Sequence, residues 1–121
     1  MHCTMLCGDA ALFEGEATMI VARSITGEFA VMEGHAPLLA ALDRGLVRIK
    51  TETQEEAFAI RSGAMNVNGE GNVTLLVSEA HRPDEIDADW IDQRIQEAES
   101  QSEEDEASWL TWLRNVGGIR G

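Results

Sequence analysis

Tyrosine is missing from this 121-residue chain, aromatic residues make up only 5% of it, and prolines and cysteines number two each. With 44% hydrophobic residues and so few rings, aliphatic side chains must fill the core of a soluble globular fold. Bases are scarce as well: 9 Lys and Arg stand against 22 Asp and Glu, a net charge of −13. Phosphates are held by clustered cations, so this balance excludes nucleic acid and an anionic bilayer as direct partners. No run approaches the roughly 18 apolar residues that cross a bilayer, which argues against direct membrane insertion. Nor does a basic stretch followed by a long apolar one open the chain, so the expectation is a cytoplasmic protein.

Cys3 and Cys7, placed on an extended strand, would share a face about 13 Å apart at a rise of roughly 3.3 Å per residue, too far for a disulfide. They are expected to be reduced thiols. A zinc site would need further ligands, and His2 is the one local candidate, so no metal is expected.

The length suits one domain, or a domain with a short appendage, and is enough to bury roughly two thirds of the unfolded surface. Up to about Val77, glycines punctuate short runs that alternate or are wholly apolar. Val47 and Ile49 alternate with Arg48 and Lys50, Phe58 and Ile60 share a face, and Asn68-Gly69-Glu70-Gly71 forms a hairpin turn between β-rich runs. The expected fold is mainly β plus α: an N-terminal two-sheet β-sandwich over residues 1–80, followed by a C-terminal αα-hairpin over residues 81–121. Ile86, Trp90, Ile91, Ile95 and Ala98 trace one helical stripe; Trp109, Leu110, Leu113 and Val116 trace a second. Ser102 is the predicted N-cap of the second helix and Gly117-Gly118 its predicted stop.

Residues 1–80 hold 11 acids and 5 bases, net −6, and residues 81–121 hold 11 acids and 4 bases, net −7. The hairpin's excess is either a solvated face or a means of keeping it off other acidic surfaces. Catalytic groups are sparse. His2, His35 and His81 are scattered, and no nucleophile elbow, Walker loop or metal-ligand spacing occurs. The acids from Asp84 to Asp92 lack the glycine and terminal glutamate of a calcium loop. No catalytic residue and no cofactor are predicted.

The most specific stretch is Ser24 to Ile49, "SITGEFAVMEGHAPLLAALDRGLVRI". Gly34 can take positive φ, Pro37 fixes φ and withholds a donor at a strand end, and Leu38, Leu39 and Leu42 are then expected to enter the core. Gly27-Glu28, Gly34-His35-Ala36-Pro37-Leu38-Leu39 and Gly45 together resemble the signature of the epsilon subunit of F-type ATP synthases. The resemblance continues through "RSGAMNVNGEGNVTLLVSEAHRPDEID" and covers about four fifths of the chain. One departure is Glu33, where the family commonly has proline.

The resemblance implies a non-catalytic rotor subunit, peripheral on the cytoplasmic side of the plasma (inner) membrane. Such a subunit would clamp the gamma subunit and couple it to the c-ring, so that proton-driven rotation drives ATP synthesis. By the same match, Glu28, His35 and Leu39 would lie at the sandwich end that rests on the c-ring. Glu28 would accept from a polar group there or be an ordinary exposed acid; His35 would hydrogen-bond across the contact or brace its own loop.

The hairpin in this family can extend toward the alpha and beta subunits and slow ATP hydrolysis. Some members bind ATP through an Ile-Asp-x-x-Arg-Ala motif. Ile86 and Asp87 match it here, but Trp90 and Ile91 replace the arginine and alanine, and a triphosphate would face five acids. Arg114 is the one base in the second helix before Gly117, so an electrostatic brake would be weak. Trp109, Trp112 and Leu113 would either anchor the hairpin in an apolar groove or seal it onto the sandwich as core. The competing expectation is a free-standing sandwich that senses a small ligand or nucleotide beneath a helical lid. An exposed apolar strip favours the rotor subunit and a closed concave pocket the sensor.

Overall fold

In the computed structural model, which describes residues 1–120 and the surroundings of side chains through residue 117, ten strands precede two helices. The strands are β1 (His2–Cys7), β2 (Ala10–Glu16), β3 (Met19–Ser24), β4 (Gly27–Met32), β5 (Leu38–Leu42), β6 (Gly45–Lys50), β7 (Glu55–Ile60), β8 (Gly63–Val67), β9 (Val73–Val77) and the two-residue β10 (Ala80–His81). After the 3-10 turn Pro83–Glu85 come α1 (Ala88–Ser100) and α2 (Glu104–Arg120). The chain divides into two compact units, Met1–Ala80 and His81–Gly121. No described helix is long and apolar enough to cross a membrane.

Two five-stranded sheets form the first unit, in the orders β2-β1-β9-β8-β5 and β10-β7-β6-β3-β4. β1 with β2, β8 with both β5 and β9, β3 with both β4 and β6, and β6 with β7 are antiparallel pairs. β1 and β9 instead run parallel, from Cys3↔Val73 to Cys7↔Val77. The alternation seen in the sequence becomes the core: Cys3, Met5, Val67, Val73 and Leu75 from the first sheet meet Ile20, Val31, Val47, Ile49, Phe58 and Ile60 from the second. Side chains of successive strand residues point to opposite faces, so each run contributes every other residue. Asn68 shapes the β8–β9 turn. Its Oδ1 accepts from the amides of Glu70 and Asn72, and Gly71 takes φ +81°.

In the second unit, Asp87 caps α1, its carboxylate accepting from the amides of Asp89 and Trp90. Ile86 stands outside the helix, in extended conformation. Ile91, Ala98, Trp109, Leu110 and Leu113 are buried, so apolar contact accounts for most of the hairpin's cohesion. Ile86 thus drops out of the expected helical stripe, since the Asp87 cap starts α1 after it, and two further expectations fail here. Ser102 is not an N-cap: it takes φ +59° just past the C-cap of α1, where its amide bonds Glu99 O and the amide of Glu103 bonds Ala98 O. Those two bonds are a Schellman motif, a role usually given to glycine. And Gly117-Gly118 does not stop α2, which runs through both. Ile86 lies so close to Gly117 that a Cβ there would stand 2.8 Å from its Cγ2; the glycine serves an approach, not an ending.

Candidate functional site

The loop that joins β4 to β5 starts as a turn, with the His35 amide bonding Met32 O at 3.1 Å and Gly34 at φ +86° in the third position. Positive φ there is what a type II turn requires, which is why glycine precedes the histidine. His35 is exposed, and its Nδ1 lies 2.6 Å from Ala36 O, a contact that braces its own loop. Pro37 then leads into β5 at the edge of the first sheet.

The register sorts the loops into two ends. At one end lie Met32–Leu38, Thr51–Gln54 and Asn68–Asn72; at the other lie Gly8-Asp9, Ile25-Thr26, Asp43-Arg44 and Ser62 beside Ser78. Glu28 pairs in register with Arg23 next to the Ile25 tip, whereas His35 follows Met32 at the opposite end. The four steps of β4 from Glu28 to Met32 separate them by roughly 13 Å at about 3.3 Å per residue. The expectation that Glu28 and His35 share one end is therefore corrected: a loop that looks contiguous in sequence is a strand's length apart.

Leu42 enters the core as expected, but Leu39 does not: 77% exposed, it faces outward from β5, opposite Asn66, because alternate strand residues point to opposite faces. It belongs to a surface that sequence inspection missed. On the outer face of the first sheet the register aligns Ala11, Leu6, Leu76, Ala64 and Ala41 in one row across all five strands. The next row runs Glu14, Thr4, Thr74, Asn66 and Leu39. From β1 to β5, eight side chains in these rows carry no charge, in a chain where 26% of residues are charged. Leu76 is 54% exposed at the centre of the patch, with small alanines on the β8 and β5 side. The outer face of the other sheet differs, with Arg23, Glu28, Arg48 and Lys50 in register on β3, β4 and β6. The signal was present in "TMLC", "GAMN", "VTLLV" and "LLAAL", but only the register unites them.

Around the start of α1, a cavity of about 300 Å³ is lined by His81, Glu85, Ile86, Asp87, Trp90, Ile91 and Leu113. Two carboxylates and no Lys or Arg face it, an electrostatic setting that repels a phosphate chain. Arg94 stacks its guanidinium 5.2 Å over the Trp90 ring and reaches Glu106 at 3.5 Å. Asp87, matched by sequence to a ligand motif, is occupied as a helix cap. Trp109 and Leu113 are fully buried, Trp112 stacks on Trp109 at 5.5 Å, and Arg114 pairs with Asp92 at 2.6 Å. No cluster of His, Cys, Asp and Glu among the described residues could hold a metal. Burial pushes the Cys3 thiol up to about 12, outweighing the nearby chain amine, so it holds its proton at neutral pH.

Residues 1–83 match the family described as ATP synthase, Delta/Epsilon chain, beta-sandwich domain. The ATP synthase epsilon chain of Streptomyces avermitilis is 33% identical over 103 residues, covering 85% of this chain and 83% of that one. The epsilon chain of Trichodesmium erythraeum is 34% identical over 100 residues, covering 83% and 72%. Among solved structures, a chain of the Euglena gracilis mitochondrial ATP synthase assembly of OSCP, F1 and c-ring superposes with TM-score 0.69 and 25% identity, over 97% of this chain and 72% of that one. A chain from the central stalk and c-ring of the Tetrahymena thermophila enzyme shares the fold, with TM-score 0.68 at 12% identity over 93% and 95%.

Proposed function

The chain belongs to the ATP synthase delta/epsilon chain family, as an epsilon-type member, and on that premise we propose that it is a non-catalytic rotor subunit that joins gamma to the c-ring on the cytoplasmic side of the membrane. Torque transfer asks for a stiff body with two separate contact surfaces rather than for a reactive group. The observation that carries this is the charge-free outer face of strands β1, β9, β8 and β5, which spans about 14 Å at roughly 4.8 Å per strand. An uncharged apolar patch that size forms the centre of an interface, with a polar rim around it. A second copy is a poor occupant, because each would bring a net charge of −13.

Gamma fits that face, with Leu39 and Leu76 as its knobs. Glu28, beside the Ile25 tip, is left as the c-ring contact, and His35 lies outside that second contact. Glu28 and its partner would add little affinity, since exposed ion pairs contribute about 0.2–1 kcal/mol, and would instead set register. The hairpin carries little basic surface for acidic loops of the catalytic head, so its effect on hydrolysis is weak and reaches alpha and beta through Trp112 and neighbouring apolar side chains.

The test is binding of the full chain carrying Leu76→Asp to the catalytic head with its own gamma. Leu76 is outward-facing, so the fold survives while the contact loses an apolar centre and gains a buried charge; affinity should drop by more than about tenfold. Unchanged affinity sinks the assignment of this face.

A further inference from the structure

Glycine is among the least favourable residues in a helix interior, yet α2 contains two in succession. Gly117 has a steric reason. A Cβ built on it would lie 2.8 Å from Ile86 Cγ2 and 3.0 Å from Ile86 Cβ. A side-chain tip could rotate aside, but a Cβ moves only with its backbone.

Ile86 belongs to neither helix. It is the extended residue (φ −78°, ψ 120°) between the 3-10 turn and the Asp87 cap, so its position is set by the segment that enters α1. Its side chain therefore sits against bare backbone on the far helix, beside the contacts that the 3-10 turn makes with α2. One turn back along α2, Leu113 is fully buried and Arg114 Nε meets Asp92 Oδ1 at 2.6 Å. That ion pair is about half exposed and holds the helices weakly. At the other end the helices are joined covalently through the Ser102 turn.

We propose that the Ile86–Gly117 joint is the catch at the open end of the hairpin. While Ile86 lies against Gly117, α2 is held to the entry of α1 and the hairpin moves as one body. When Ile86 withdraws, the end of α2 loses the contact that compensates for its two glycines and frays. The hairpin's opening is thus set by the fit of one aliphatic side chain to one missing methyl group, whatever the sandwich binds.

Hydrogen exchange of α2 amides in the full chain tests this, because the two accounts predict opposite signs. Helix propensity alone makes Gly117→Ala slow the exchange. The catch makes Gly117→Ala speed exchange across residues 110–117 by about fivefold or more, and makes Ile86→Gly added to it, which removes both the Cγ2 and the Cβ, bring the rates back toward the parent. Slower exchange in Gly117→Ala, or a double variant no slower than the single one, overturns the proposal. If Gly117→Ala loses the hairpin's helical signal altogether, its recovery in the double variant supports the catch, and failure to recover overturns it.

Discussion

Glu103 donates its backbone amide to the carbonyl of Ala98 at 2.8 Å, closing the last turn of α1 across Ser102. That bond needs Ser102 in the left-handed region at φ +59°, where a Cβ is strained. Ser102→Gly should therefore stabilise the chain, by about 0.5–1 kcal/mol after allowing for glycine's greater freedom when unfolded. Denaturant unfolding measures it. A loss of stability would mean that the turn does not dictate this residue's conformation.

Gly63 presents the reverse case. A Cβ there would lie 2.4 Å from Leu76 O and 3.1 Å from Val77 Cα, both backbone atoms of the paired strand β9. Gly63→Ala should cost about 2 kcal/mol or more in the same experiment, since strand pairing must shift to admit the methyl group. A change under about 0.5 kcal/mol is what an ordinary surface site gives and would contradict the close approach.

The two thiols should differ in kind. Cys3 is fully buried with its titration pushed up to about 12, whereas Cys7 is half-buried. A thiol reagent at neutral pH should label Cys7 in the native chain and reach Cys3 only on unfolding. Because the folded thiol titrates above its ordinary value of 9.0, the unfolded chain ionises first, and stability contributed at Cys3 should decline as pH rises from about 9 toward 12. Cys3→Ala should flatten that alkaline decline, read from unfolding midpoints between those limits.

Neighbouring residues on α2 separate packing from charge. Leu113 is fully buried, and Leu113→Ala should cost about 2–5 kcal/mol of hairpin stability. Arg114 meets Asp92 at 2.6 Å but is 48% exposed, and Arg114→Ala should cost less than about 1 kcal/mol. Helical signal against denaturant in the two variants distinguishes them, and comparable losses would show that the ion pair is better shielded than its exposure indicates.

Removing α2 from residue 104 onward should change ATP hydrolysis by the reconstituted catalytic head only modestly, because the helix presents little positive charge to an acidic partner. Turnover of the head with full and shortened chains measures this, binding being checked in the same samples. A several-fold rise in rate on removal would identify α2 as a strong brake.

Local pattern carried most of the fold into view. Val47, Ile49, Phe58 and Ile60 alternate in sequence and face the core, and Asn68-Gly69-Glu70-Gly71 turns where expected. Positions whose meaning depends on a distant partner did not show themselves. Gly117 looks like a stop until Ile86 is beside it. Ser102 fits an N-cap until its amide and that of Glu103 are seen to donate to the carbonyls of Glu99 and Ala98 in the preceding turn. Glu28 and His35, seven positions apart, read as neighbours because nothing local says that Phe29 to Met32 run straight. The charge-free face was illegible for the same reason, being written in four separate strands.

The parallel pairing of β1 with β9 has a consequence for how the chain comes to be folded. The first strand made is a central strand of its sheet, yet its second neighbour comes about 70 positions later, at Val73–Val77. On a ribosome, β1 and β2 can form a hairpin early, but the open flank of β1 stays unfilled until β9 has emerged. Loop closure over that span must precede the contacts that reward it, so the sandwich should mature late and slowly for its size. Until then the flank from Cys3 to Cys7 offers unpaired amides and carbonyls to any strand nearby, making the nascent chain the stage most exposed to mispairing.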